Sequence, residues 1–218
     1  MSKGKSIFVN AITFTRVPLI FAWAVLAVVH QLDGDKGFAL PVIACAAMLL
    51  SGLTDLWDGK LARKWRVVSA LGKMADPLMD KVFYIVAFPT LLWLSFYQEG
   101  PGSGCHSFVL LVLTVLYMLR DTWVTFLRSV GSMFGADVAA MWLGKVRTAL
   151  SFPGAGLVYV YLAFNPLFSF SEISRDVRGW WLESCYVVEI ALMVLTVWSL
   201  VTYTHAYLPC LKKALERN

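Results

Sequence analysis

The chain has 218 residues, of which 59% are hydrophobic and 15% charged. That apolar share is well above what a soluble domain carries, so a water-soluble globular protein is excluded and one polytopic membrane domain over residues 1–218 is the simplest organisation. The net charge of +5 accompanies no nucleic-acid-binding motif; it reads as membrane topology and attraction to anionic head groups, with no nucleic acid as partner.

In chain order, charge-free or nearly charge-free runs cover residues 10–30, 37–54, 82–98, 100–119, 148–171 and 190–211. Each can cross a hydrocarbon core of about 30 Å as a modestly tilted helix. The predicted fold is therefore an all-α integral membrane protein with six transmembrane helices. Arg16 interrupts the first run and no clean small-residue cleavage site follows it, so that run is expected as a mature helix rather than a signal peptide. Six crossings place both termini on one side. That side collects Lys3, Lys5, Lys60, Arg63, Lys64, Arg66, Lys73, Lys145, Arg147, Lys212, Lys213 and Arg217, against Lys36, Arg175 and Arg178 on the other. The excess predicts cytoplasmic termini. Residues 98–104 are expected as a short external turn and 165–178 as a longer external loop.

Carboxylates gather where the second and third runs meet the basic side. Asp55 and Asp58 are three residues apart and Asp76 and Asp80 four apart, so on helices each pair shares one face. Clustered acids at a membrane edge repel one another, and all-oxygen ligands suit Mg²⁺ or Mn²⁺. Helix lengths put both pairs near one depth, on what chain order presents as neighbouring antiparallel helices. Gly59 and Ala62 lie four residues after Asp55 and Asp58; their small size lets a nucleotide or a facing helix approach the acidic face. Arg63 is either a positive-inside anchor or a bidentate phosphate ligand. Gly72 precedes the second acid pair, and Pro77 suits the first turn of a helix.

Asp55, Asp58, Gly59, Ala62, Arg63, Gly72, Asp76 and Asp80 together fit the pattern D-x2-D-G-x2-A-R-x8-G-x3-D-x3-D without gap or mismatch. This resembles the signature of the CDP-alcohol phosphotransferases, membrane enzymes that transfer a phosphoryl-linked group from a CDP-alcohol to a second alcohol and release CMP. Shorter stretches are similar to bacterial phosphatidylglycerophosphate synthases: NAITFTR with Asn10, Thr13 and Arg16, RDTWVTFLR from Arg120 to Arg128, LGKVRT from Leu143, and WSLVTY near the end. Asp121 stands where those synthases commonly carry Glu, and Ala75 precedes Asp76 where a bulkier residue is usual, which leaves the acceptor open.

The resemblance implies that Asp55, Asp58, Asp76 and Asp80 bind two Mg²⁺ or Mn²⁺ ions. Asp80 would also take the proton from the acceptor hydroxyl. Asn10, Thr13, Gly59, Ala62, Arg63 and Gly72 would contact CDP-diacylglycerol. A small phosphorylated alcohol, sn-glycerol 3-phosphate first, would meet Arg120, Arg128, Lys145 and Arg147; Arg120, set in an apolar segment beside Asp121, reads independently as the mark of a polar cavity. Inositol phosphate, serine or phosphatidylglycerol are the alternative acceptors within the superfamily, and a divalent-cation transporter is the alternative outside it. A homodimer in the bacterial inner membrane, its site facing the cytoplasm, completes the expectation. The four cysteines lack paired spacing and are expected to pack in the membrane, and the three histidines to sit at its interfaces.

Overall fold

The computed structural model describes residues 2–33, 37–65, 67, 70–98, 103–135, 142–164 and 172–216. Its regular elements are six helices: α1 (Ser2–Asp33), α2 (Ala39–Trp65), α3 (Ala70–Ser95), α4 (Ser103–Met133), α5 (Trp142–Phe164) and α6 (Glu172–Leu215). Helices are expected of such apolar runs, because in lipid each backbone N–H and C=O must find its partner within the segment. α4 stops where Gly135 takes φ of 67°, a left-handed turn that glycine enters without a side-chain clash.

Among the described residues, five of these helices are long and apolar enough to cross a membrane. α5 is the exception: Arg147, Pro153 and three glycines dilute its apolar residues. Large apolar side chains such as Leu49, Ile85, Val115, Ile190, Val194 and Val201 face outward, an arrangement costly in water and neutral against lipid tails.

The bundle has two halves. α1 packs along α2 and α3, while α6 packs along α4 and α5, and α3 reaches across to α4 and α5. Trp23, Phe88, Leu91, Leu110, Leu113, Tyr159 and Leu162 fill the main core. Close approach between helices depends on small residues: a Cβ on Gly52 of α2 would lie 2.6 Å from the Phe152 ring of α5, and one on Gly154 would lie 2.9 Å from Val188 of α6.

Four expectations are corrected. α2 and α3 are not packed neighbours; α1 lies against both, and among the described residues they barely touch. Pro77 sits well inside α3, which begins at Ala70; adjacent helices and local adjustment let membrane helices accept interior prolines. α6 starts at Glu172, so residues 172–178 are helix rather than loop, and the helix runs 44 residues. His106 is buried, with Nε2 2.8 Å from Glu189 Oε1, rather than interfacial: pairing between α4 and α6 is what makes both polar groups tolerable inside the bundle.

Candidate active site

The acids converge on α1. Arg16, almost fully buried, pairs through Nη2 with Asp55 and, at 3.2 Å, with Asp58, while its Nη1 lies 3.7 Å from Asp80. Thr13, one turn earlier, donates a 2.7 Å hydrogen bond to Asp58 Oδ2. The helical period explains the set: positions 13 and 16 share a face of α1, as positions 55 and 58 share a face of α2. Asp58 is 6% exposed and Asp55 51%, so the cluster is closed on one flank and open on the other.

These contacts assign the N-terminal stretch more sharply than its spacing does. Thr13 and Arg16 face the acids, and Arg16 joins α2 to α3. Its signal in the sequence was a lone arginine inside an apolar run. Asn10 lies part-buried one turn before Thr13. The Arg63 guanidinium lies 3.7 Å from where a Cβ on Gly59 would stand, so the exposed arginine folds back over the glycine. Ala62 and Gly72 are half-buried on α2 and α3. Asp76 and Lys145 lie on α3 and α5, with their side chains outside the described residues.

The donor set fits a divalent ion by its chemistry, since Asp55, Asp58 and Asp80 are all oxygen ligands gathered around one cationic group. Among the described residues no three acidic, histidine or cysteine side chains already stand as a ligand set; the Arg16 guanidinium occupies the point where they converge.

A second polar centre lies where α3, α4, α5 and α6 meet. Asp121 Oδ1 accepts from Arg120 Nη1 at 2.9 Å and from Arg147 Nη2 at 2.8 Å. Its Oδ2 accepts from the Tyr84 hydroxyl of α3. Arg120 also donates through Nε and Nη2 to Ser199 Oγ, at 3.1 and 2.7 Å. The Arg120 and Arg128 guanidinium carbons stand 5.1 and 5.6 Å from the Tyr203 ring centre, and Arg128 donates to the Tyr203 hydroxyl at 3.4 Å. Arg147 is flanked by the Tyr117 and Tyr84 rings at 4.4 and 5.4 Å. Such contacts between guanidinium and aromatic faces stabilise a desolvated cation.

Two guanidinium groups, those of Arg120 and Arg147, thus share one carboxylate, and Arg128 joins them through Tyr203. Arg147 is 1% exposed, yet its Nε and Nη1 have no hydrogen-bond partner among the described residues. Buried donors of this kind are costly to leave unmet. Gly144 supplies room: a Cβ there would lie 3.3 Å from Arg120 Nη2 and 3.5 Å from the Tyr203 hydroxyl. The structure therefore brings Arg120, Arg128 and Arg147 together, and adds Tyr84, Asp121, Ser199 and Tyr203. Ser199 and Tyr203 both lie in the WSLVTY stretch, whose resemblance named a segment without naming a role.

An acidic cluster and a buried arginine cluster thus stand in one helical bundle, joined by α3. The chain belongs to the CDP-alcohol phosphatidyltransferase family, whose model matches residues 7–201, and it is a membrane-embedded transferase. It is 27% identical over 168 residues, covering 76% of this chain and 79% of the relative, to the CDP-diacylglycerol–glycerol-3-phosphate 3-phosphatidyltransferase of Pectobacterium atrosepticum. Identity to the Mycoplasma genitalium protein of the same name is 31% over 190 residues, covering 82% of this chain and 73% of that one. A CMP-forming cardiolipin synthase of Streptomyces coelicolor is 39% identical over a shorter stretch of 77 residues, 35% of this chain and 33% of that protein.

Proposed function

We propose that the protein transfers the phosphatidyl group of CDP-diacylglycerol to the primary hydroxyl of sn-glycerol 3-phosphate, giving phosphatidylglycerol phosphate and CMP. The observation that carries this reading is the excess of buried cation around Asp121, with two unmet donors on Arg147. A phosphomonoester supplies the missing negative charge; serine has no phosphate to give, and the phosphodiester of phosphatidylglycerol carries a single charge. The names of the relatives that cover most of the chain support the same acceptor.

In the reaction, the acceptor oxygen forms a bond to the lipid-side phosphorus as the bond to CMP breaks. Asp80 takes the hydroxyl proton. Asp55, Asp58 and Asp76, with Asp80, would hold two Mg²⁺ or Mn²⁺ ions, which when bound neutralise the diphosphate and stabilise the leaving CMP. Arg63, exposed on the last turns of α2 and folded back over Gly59, would meet the nucleotide phosphates. Arg120 and Arg147 orient the acceptor, so that its hydroxyl is presented toward α3. Orientation of this kind removes much of the entropic cost of bringing two substrates together.

The same reading places all six helices across the bacterial inner membrane, with α5 sheltered by its neighbours, and both termini and the site on the cytoplasmic side. A homodimer is part of the proposal. Purified protein in lipid nanodiscs, given CDP-diacylglycerol and a panel of labelled acceptors, tests it by CMP release and lipid product. Glycerol 3-phosphate should be consumed in preference to glycerol, serine, inositol phosphate or phosphatidylglycerol, and chelation should abolish turnover. Preference for phosphatidylglycerol would move the protein to cardiolipin synthesis.

A further inference from the structure

Among the described residues, α3 is the helix that contributes to both polar centres. Asp80, on the acidic side, and Tyr84, on the arginine side, are four residues apart on it. They therefore share a face and are separated by about 6 Å along the helix axis. The Tyr84 hydroxyl donates to Asp121 Oδ2, while Oδ1 of the same carboxylate holds Arg120 at 2.9 Å and Arg147 at 2.8 Å. The Tyr84 ring lies beside the Arg147 guanidinium as well, 5.4 Å from its carbon. A continuous run of contacts thus links the helix that carries the proton acceptor to the two arginines that meet the acceptor's anionic end.

We infer that Tyr84 is a positioning residue that measures the acceptor: by pinning Asp121 and through it Arg120 and Arg147, it fixes the distance between the phosphate clamp and Asp80. On the glycerol 3-phosphate reading, that fixed distance suits an acceptor whose hydroxyl and phosphate are separated by three carbons, and shorter or longer ones fit less well. The inference rests on the phosphorylated-acceptor reading above. Its physical basis is that Asp121 has two oxygens with different duties, one committed to the arginines and one to α3. Without the hydroxyl of Tyr84, the carboxylate keeps its charge and its arginines but loses its direct bond to the helix of Asp80; the Lys81–Thr125 contact still holds the Asp121 backbone, but the carboxylate and its clamp are free to shift by the small distances that separate homologous substrates.

The experiment uses the full chain in nanodiscs with CDP-diacylglycerol and three acceptors that differ only in length: 2-hydroxyethyl, 3-hydroxypropyl and 4-hydroxybutyl phosphate, with sn-glycerol 3-phosphate alongside. Wild-type protein should favour the three-carbon member in kcat/KM by about tenfold or more, the usual worth of one well-placed charge-assisted contact. Tyr84→Phe keeps the ring beside Arg147 and removes only the hydroxyl. It should raise the KM for glycerol 3-phosphate more than it lowers kcat, and level the length series to within about threefold. Asp121→Asn, which weakens the same link from the other end, should level it too. An unchanged length preference in Tyr84→Phe overturns the inference, as does a wild-type enzyme indifferent to length. Loss of turnover with every acceptor in both variants also overturns it, because a measuring residue sets substrate choice rather than the chemistry. A wild-type enzyme that rejects all phosphorylated acceptors but uses serine or phosphatidylglycerol refutes the functional reading instead.

Discussion

Replacing Arg16 by Ala removes the cation that, among the described residues, pairs with three carboxylates. The cost is unevenly divided. Asp55 is half exposed and Asp80 lies 3.7 Å away with 38% exposure, so each of those pairs contributes up to about 1 kcal/mol in a solvated setting. Asp58 is 6% exposed; leaving a buried carboxylate without its partner costs about 3–5 kcal/mol. Thr13 keeps its hydrogen bond to Asp58 and offsets part of this. A net loss of about 4 kcal/mol corresponds to a fall in melting temperature of about 8–16 °C for a chain of this size. Unfolding in nanodiscs, followed by tryptophan fluorescence in EDTA, reads that fall directly. Saturating MgCl₂ should return most of it, because a divalent ion among the same carboxylates supplies the missing positive charge. Wild-type protein should gain less from Mg²⁺, since Arg16 must yield to the ion. Unchanged stability in EDTA would refute the assignment of Arg16 as the neutralising group. A fall that Mg²⁺ leaves untouched would refute the metal site at these acids.

The remaining expectations concern single contacts. Asp80→Asn should lower turnover by about two to four orders of magnitude while donor affinity, read by CDP-diacylglycerol competition, stays within a few-fold. Arg120→Ala should raise the KM for glycerol 3-phosphate by about 10- to 150-fold, and Arg120→Lys should recover only part of this, lacking the planar fork that spans Ser199 and Asp121. Gly52→Ala sets a Cβ 2.6 Å from the Phe152 ring and should cost about 1–3 kcal/mol in thermal unfolding by forcing α2 from α5. His106→Ala leaves Glu189 fully buried with no partner for Oε1 and should lower the melting temperature, whereas Glu189→Gln should be milder because an amide carries no charge to desolvate.

The acid motif was readable because helical period and charge are both local. Two carboxylates three residues apart share a face wherever the helix goes. Arg120 was readable for a related reason: a charge inside an apolar run must have a polar partner. Tyr84, Ser199 and Tyr203 lack that contrast. Tyrosine and serine are ordinary packing residues in membrane helices, and only the meeting of α3, α4 and α6 gives them arginines to hold. The insertion of α1 between α2 and α3 was hidden because consecutive helices are by default neighbours, and nothing in a hydropathy pattern says which helix wedges between which. The early start of α6 was hidden by Glu172, Arg175, Asp176 and Arg178. Charges mark where a chain leaves lipid, and a helix can continue well beyond that point.

The order of the helices along the chain bears on how such a protein is made. Arg16 is synthesised before any of the acids it neutralises, and α1, α2 and α3 contain all of that ion cluster. An unpaired arginine or aspartate is costly during insertion, about 2.5–3.5 kcal/mol at the helix centre and less toward the membrane edge where this cluster lies. The nascent protein meets that cost only until its third helix arrives, since Asp55, Asp58 and Asp80 then find their cation without waiting for α4, α5 or α6. In the second half Arg120 is relieved at once by its neighbour Asp121, whereas Arg147 meets the same carboxylate only when α5 arrives. Tyr84 is already in place on α3, so the first three helices present a finished edge on which the second half of the enzyme can assemble.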